Sequence, residues 1–112
     1  MHMSSSRVGD AQVVTVEEDR IDAAVAIAFK DRMRELTEDG AKHVILDLGR
    51  VDFIDSSGLG AIVAAMKQLG RDRVLHLVAP RPNVEKVFRL TRMDKIFEIH
   101  PNVDQALAAE PG

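Results

Sequence analysis

The chain contains no cysteine, no tryptophan and no tyrosine, and four phenylalanines supply all of its aromatic side chains. Without cysteine, disulfides and thiolate metal centres are excluded, which fits a reducing, cytoplasmic setting. A cationic excess is also missing: 15 Lys and Arg face 18 Asp and Glu, for a formal net charge of -3 with the two signs mixed along the chain. That balance leaves no basic footprint for nucleic acid. No apolar run reaches the ~20 residues needed to cross a bilayer, so no membrane partner is expected. Residues Met1 to Gly9 lack the basic-then-apolar order of a secretion signal. With Met1-His2-Met3 followed by three serines, they read as a disordered lead or an expression remnant, and residues 10–110 as the domain.

What is present suits one packed unit. The chain has 112 residues, 46% of them apolar, enough for one hydrophobic core and too few for two domains. Gln12 to Glu17 reads as a strand through Val13, Val14 and Val16. Asp19 to Asp22 reads as a short turn or second strand, with Asp22 placed to cap the helix that follows. That helix is expected over Ala23 to Asp39, with Val25, Phe29, Met33 and Leu36 on one face and Gly40 as its stop. A buried strand is expected over His43 to Leu48, a loop over Gly49 to Ser57, and a second helix from Gly58 to Leu69 ending at Gly70. Arg73 to Val78 gives a strand and Asn83 to Leu90 a helix with Val84, Val87 and Phe88 inward. Ile96 to Ile99 gives a last strand, and a helix after Pro101-Asn102 carries Val103, Ala106 and Leu107. Alternating strands and helices indicate a single α/β domain, a central mixed sheet with helices packed mainly on one face.

The informative stretch is Asp55-Ser56-Ser57-Gly58-Leu59-Gly60, which follows a strand and opens a helix. One reading is a plain N-cap, since Asp and Ser accept hydrogen bonds from the free N–H groups of a first turn. Two glycines there fit that reading badly, because each costs about 1 kcal/mol relative to Ala within a helix. Glycine does allow another backbone or a bulky group to approach closely. Further along, Leu59, Ile62, Val63 and Met66 share one face and are expected in the core. The other side carries Gly60, Ala61, Ala64 and Ala65, with Lys67 the only charge from Gly58 through Leu69. A face so small and uncharged is either covered by more of this protein or reserved for a partner. A phosphate on Ser56 would meet free N–H groups at the positive helix end and add about -1.5 to -2 charges beside Asp55.

These residues resemble the STAS-domain anti-sigma factor antagonists of bacteria. The resemblance runs from Val13 to about Leu107. It is carried by Val44-Ile45-Leu46-Asp47-Leu48, then Val51-Asp52-Phe53-Ile54, then the Asp55-to-Gly60 run, with Val78-Ala79-Pro80 and the stretch from Val84 through Phe88 to Phe97 also fitting. It implies a non-enzymatic domain without cofactor or metal, in which the serine after the aspartate, here Ser56, is phosphorylated by an anti-sigma factor that is a serine kinase. The unmodified form would bind that kinase and free a sigma factor, and a PP2C-type phosphatase would reverse the modification. Ser56 is thus the expected phosphoacceptor. Asp22, Asp55, Ser57, Gly58, Gly60, Ala61, Ala64 and Ala65 are expected to form the partner-binding surface. The turn Asp19-Arg20-Ile21-Asp22 keeps only its last aspartate in common with the family pattern, Ala23 and Ala24 replace polar residues, and Arg92 stands where glycine is common.

Other readings compete. A serine hydrolase needs G-x-S-x-G, and neither Ser56 nor Ser57 has glycine at both flanking positions. An aspartyl-phosphate receiver domain would use Asp47 with Glu17, Glu18 and Asp19, but Leu48-Gly49-Arg50 lacks that family's proline-bearing loop. STAS-like scaffolds of the stressosome or of lipid transport share the expected fold.

Overall fold

The computed structural model describes residues 1–109. Strand β1 (Met3–Val8) runs antiparallel to β2 (Ala11–Val16), and β3 is the two-residue Arg20–Ile21. Then follow α1 (Ala26–Leu36), β4 (His43–Asp47), β5 (Phe53–Ile54), α2 (Ser56–Leu69), β6 (Val74–Val78), α3 (Pro82–Leu90), a 3-10 turn (Met93–Lys95), β7 (Glu98–His100) and α4 (Val103–Ala108). The main sheet has the order β1-β2-β4-β6-β7, parallel except for the β1 edge, while β3 and β5 form a separate parallel pair.

Strand alternation divides the core in two. Val14, Val16, Val44, Leu46, Leu75 and Leu77 face α1, α2 and α3, joining Phe29, Met33, Ile62, Val84 and Phe88. Val13, Ile45 and Val78 face the other way, under Ala106 of α4. Three helices therefore cover one face and a single short helix the other, the mixed α/β layout expected. His43, His76 and His100 line up across β4, β6 and β7, with ring nitrogens 3.1 and 3.4 Å apart in succession.

Several boundaries differ from the sequence reading: the expected loop from Gly49 to Ser57 contains β5, and α2 starts at Ser56 rather than Gly58 because Asp55 caps it. Residues 3–8 are not a disordered lead: they form the β1 edge, paired from Met3↔Val16 to Val8↔Ala11. Backbone hydrogen bonds make that pairing, so serines serve as well as valines there. The readable signal was Gly9-Asp10, a two-residue hairpin turn whose glycine sits at φ 60°. The first helix starts at Ala26 rather than Ala23, and Val25 rather than Asp22 is its N-cap. Asp22 Oδ1 accepts instead from Ala24 N at 3.1 Å, holding residues 22–25 in a turn. The last strand starts at Glu98, because the amides of Ile96 and Phe97 both donate to the Met93 carbonyl and keep that stretch coiled. The end of the expected domain at residue 110 lies outside the described residues.

Candidate functional site

The site forms where two short segments run side by side. Because β3 and β5 pair in parallel, with Ile21 opposite Ile54, the residues that follow them, Asp22 and Asp55, leave the pair together. Asp55 is the N-cap of α2: its Oδ1 accepts from Gly58 N at 2.8 Å. Its other oxygen accepts from Ala23 N at 3.1 Å, across to the turn before α1. One carboxylate thus ties both helix entrances together. The Gly58 amide is the main reason that its pKa lies below the ordinary 3.8; desolvation opposes it, and the Ala23 and Ser57 amides lower it further.

With Asp55 acting as the cap, Ser56 is the first helical residue and Ser57 the second. Both are exposed, and among the described residues no side-chain hydrogen bond engages either. The capping explanation of the serines therefore passes to the aspartate, and the Ser56 hydroxyl is left open to solvent at the positive end of α2.

The two glycines divide in role. A Cβ on Gly58 would lie 1.9 Å from the Ile21 carbonyl oxygen and 3.0 Å from Ile54 Cγ1. Gly58 is the close approach of α2 to its own chain, not to a partner. Gly60 has nothing within 4 Å of the same point and faces outward.

The helix is also rotated from the expected register. Its buried residues are Gly58, Ala61, Ile62, Ala65 and Leu69, whereas Leu59, Val63 and Met66 are only partly buried against the core. Ala61 and Ala65, at 2% and 4% exposure, belong to the core cluster with Ala26, Phe29 and Met33 of α1. At that exposure they offer a partner little area. Small residues are buried here because α1 and α2 pack closely, and bulkier ones would hold the helices apart. Ala64 is half-buried and lines, with Lys30, Arg34, Ala65 and Gln68, a groove of about 290 Å³ between α1 and α2. The structure therefore brings together Asp22, Asp55, Ser56, Ser57 and Gly60, with Ala64 on the flank, and buries Ala61 and nearly all of Ala65 between α1 and α2. The sequence reading missed Phe53, 42% exposed, with the Arg20 guanidinium 4.6 Å above its ring. Val51 and Ile54 beside it are buried, so apolar character alone did not mark Phe53 as the exposed one.

Asp47, the receiver candidate, is engaged locally: its Oδ1 accepts from Gly49 N at 2.9 Å. Among the described residues no group of three or more His, Asp or Glu is arranged to hold a metal ion.

The family model for the STAS domain matches residues 3–106. A protein of Bordetella bronchiseptica named as a candidate anti-sigma factor antagonist, BtrV, is 29% identical over 101 residues, covering 89% of this chain and 87% of the relative. The anti-sigma-F factor antagonist RsfB of Mycobacterium tuberculosis is 26% identical, covering 82% and 75%. Among solved structures, an anti-sigma factor antagonist from Mycobacterium paratuberculosis superposes with a TM-score of 0.87 at 29% identity, covering 96% of this chain and 92% of that one.

Proposed function

The chain belongs to the STAS-domain family, and from that premise we propose that it is an anti-sigma factor antagonist working by partner switching. In its unmodified form it binds an anti-sigma serine kinase in the cytoplasm and so frees a sigma factor. Phosphorylation of Ser56 ends that binding, and a PP2C-type phosphatase restores it. The chain is a substrate in this cycle and not an enzyme.

One observation carries the reading: an exposed serine, unused by the fold, stands at the first position of a helix whose cap is already supplied by its neighbour. A phosphate there meets the positive end of the helix and the fold tolerates it. The same phosphate adds about -1.5 to -2 charges next to the Asp55 carboxylate. A partner docked over Ser57, Gly60 and the Asp22–Ala23 turn would then face a concentrated negative charge. Like charges brought together at an interface cost several kcal/mol, so the partner leaves while the domain stays folded. Gly60 contributes by keeping the helix backbone accessible one turn beyond the serine.

The test is incubation with the serine kinase encoded near this chain's gene, with ATP, read by mass spectrometry. One phosphate on the Ser56 peptide, resistant to hydroxylamine and absent from Ser56→Ala, is the expected result. Phosphate on another residue, or a hydroxylamine-labile acyl phosphate, would reject the assignment.

A further inference from the structure

The ribbon that leads into the Ser56 site has an outer face of its own. Arg20 and Phe53 are register partners across β3 and β5, and both are exposed. The guanidinium lies over the Phe53 ring, 4.6 Å from its centre. Its Nε donates to Asp22 Oδ2 at 3.1 Å, two residues nearer the helix entrance. The side chain is therefore held at two points and leans along the ribbon toward Ser56. Both contacts leave its outer nitrogens alone: among the described residues no acceptor engages Nη1 or Nη2.

Charge at this entrance is one-sided. Residues 19–24 and 52–60, the two segments that meet there, carry Asp19, Asp22, Asp52 and Asp55 against Arg20 alone. Asp22 and Asp55 already accept main-chain amides, from Ala24 and from Gly58 and Ala23. A phosphate on Ser56 adds about -1.5 to -2 charges where neither segment has a second cation to meet it. Ser56 lies three residues beyond the register partner of Arg20, so the two Cα atoms are within roughly 12 Å. An arginine and a phosphoserine side chain close that gap between them. A free anion would be repelled by the four carboxylates, but a phosphate fixed to Ser56 has no approach to make. The covalent bond selects the occupant.

We propose that Arg20 is the receptor for the phosphate on Ser56, with its Nη donors on phosphate oxygens and its Nε still on Asp22. The planar guanidinium fork matches paired phosphate oxygens, and the Phe53 ring keeps that plane in place. The phosphate is then laid against the β3–β5 ribbon and takes up the one cation that a docking partner finds on this face. The role of Arg20 rests on Ser56 being the phosphoacceptor, and it gives the added negative charge a fixed position.

The test uses the full chain with phosphoserine encoded at position 56 during synthesis, so that no kinase is needed, and follows its phosphorus resonance through a pH titration. An ordinary phosphoserine takes up its second proton near pH 6. If Arg20 holds the dianion, Arg20→Gln should raise the midpoint by at least about half a unit, roughly a threefold gain in proton affinity. Arg50→Gln removes an exposed cation that is paired with Glu17 instead and should leave the midpoint where it is. The Arg20–Asp22 pair is a surface one, so the unmodified Arg20→Gln chain should fold and melt within a few degrees of the parent. Equal midpoints for the parent and Arg20→Gln, or equal shifts from Arg20→Gln and Arg50→Gln, would overturn the assignment. A kinase that leaves Ser56 unmodified would instead overturn the switching cycle, and the encoded phosphoserine would still report on Arg20.

Discussion

The two sides of α2 are built from similar residues and do opposite work. The inner side carries Gly58, Ala61 and Ala65, closed against β3 and α1. The outer side carries Ser56 and Gly60, open to solvent. Residue size is the same on both, so composition does not separate them; neighbours do. The comparison teaches that smallness on a helix marks close approach, and only the surrounding chain decides whether a domain's own backbone or a partner makes it.

Three substitutions sharpen that contrast, beginning with the largest effect. Gly58→Ala places a methyl carbon 1.9 Å from a main-chain oxygen that no side-chain rotation can move. The β3–β5 pair must shift, and a loss of about 3 kcal/mol is expected, seen as a fall in urea midpoint and melting temperature. Gly60→Ala is the same chemical change two residues on, with nothing near it. It should stabilise the helix by up to about 1 kcal/mol while weakening the anti-sigma partner's binding. If the two variants moved stability in the same direction, the division between the faces would fail. The smallest effect concerns Asp55. Its lowered pKa means that the carboxylate contributes stability above its ordinary value of 3.8, lost as the pH falls through the lowered value. Asp55→Asn should therefore melt below the parent protein at neutral pH, and the difference should close as acid protonates Asp55. A gap that persists unchanged below that range would mean that charge is not what the Gly58 and Ala23 amides select.

Much of this was legible in the residues themselves. The runs from His43 to Leu48 and from Arg73 to Val78 announced central strands because buried parallel strands are continuously apolar, and both lie within two residues of their expected limits. The Asp55-to-Gly60 run was readable as a helix entrance because capping residues obey local rules, although the helix starts at Ser56, two residues before the expected Gly58. The rotation of α2 was not. Leu59, Ile62, Val63 and Met66 form the more hydrophobic stripe, and hydrophobicity alone ranks them above Ala61 and Ala65. Burial, however, followed the space between α1 and α2, which is a tertiary fact. The β1 edge escaped for a related reason: main-chain pairing leaves a faint trace in a serine-rich segment, and only the Gly9-Asp10 turn carried it.

The account turns on Ser56 acting through charge at an exposed helix entrance. The most direct measurement is the affinity of the anti-sigma serine kinase for the unmodified chain and for the chain phosphorylated at Ser56, by titration calorimetry, with the melting temperature of each form taken in parallel. The expected result is a loss of affinity of at least about 100-fold with the fold intact and its melting temperature nearly unchanged. Equal affinity for both forms, or lost binding that merely accompanies unfolding of the phosphorylated chain, would contradict it.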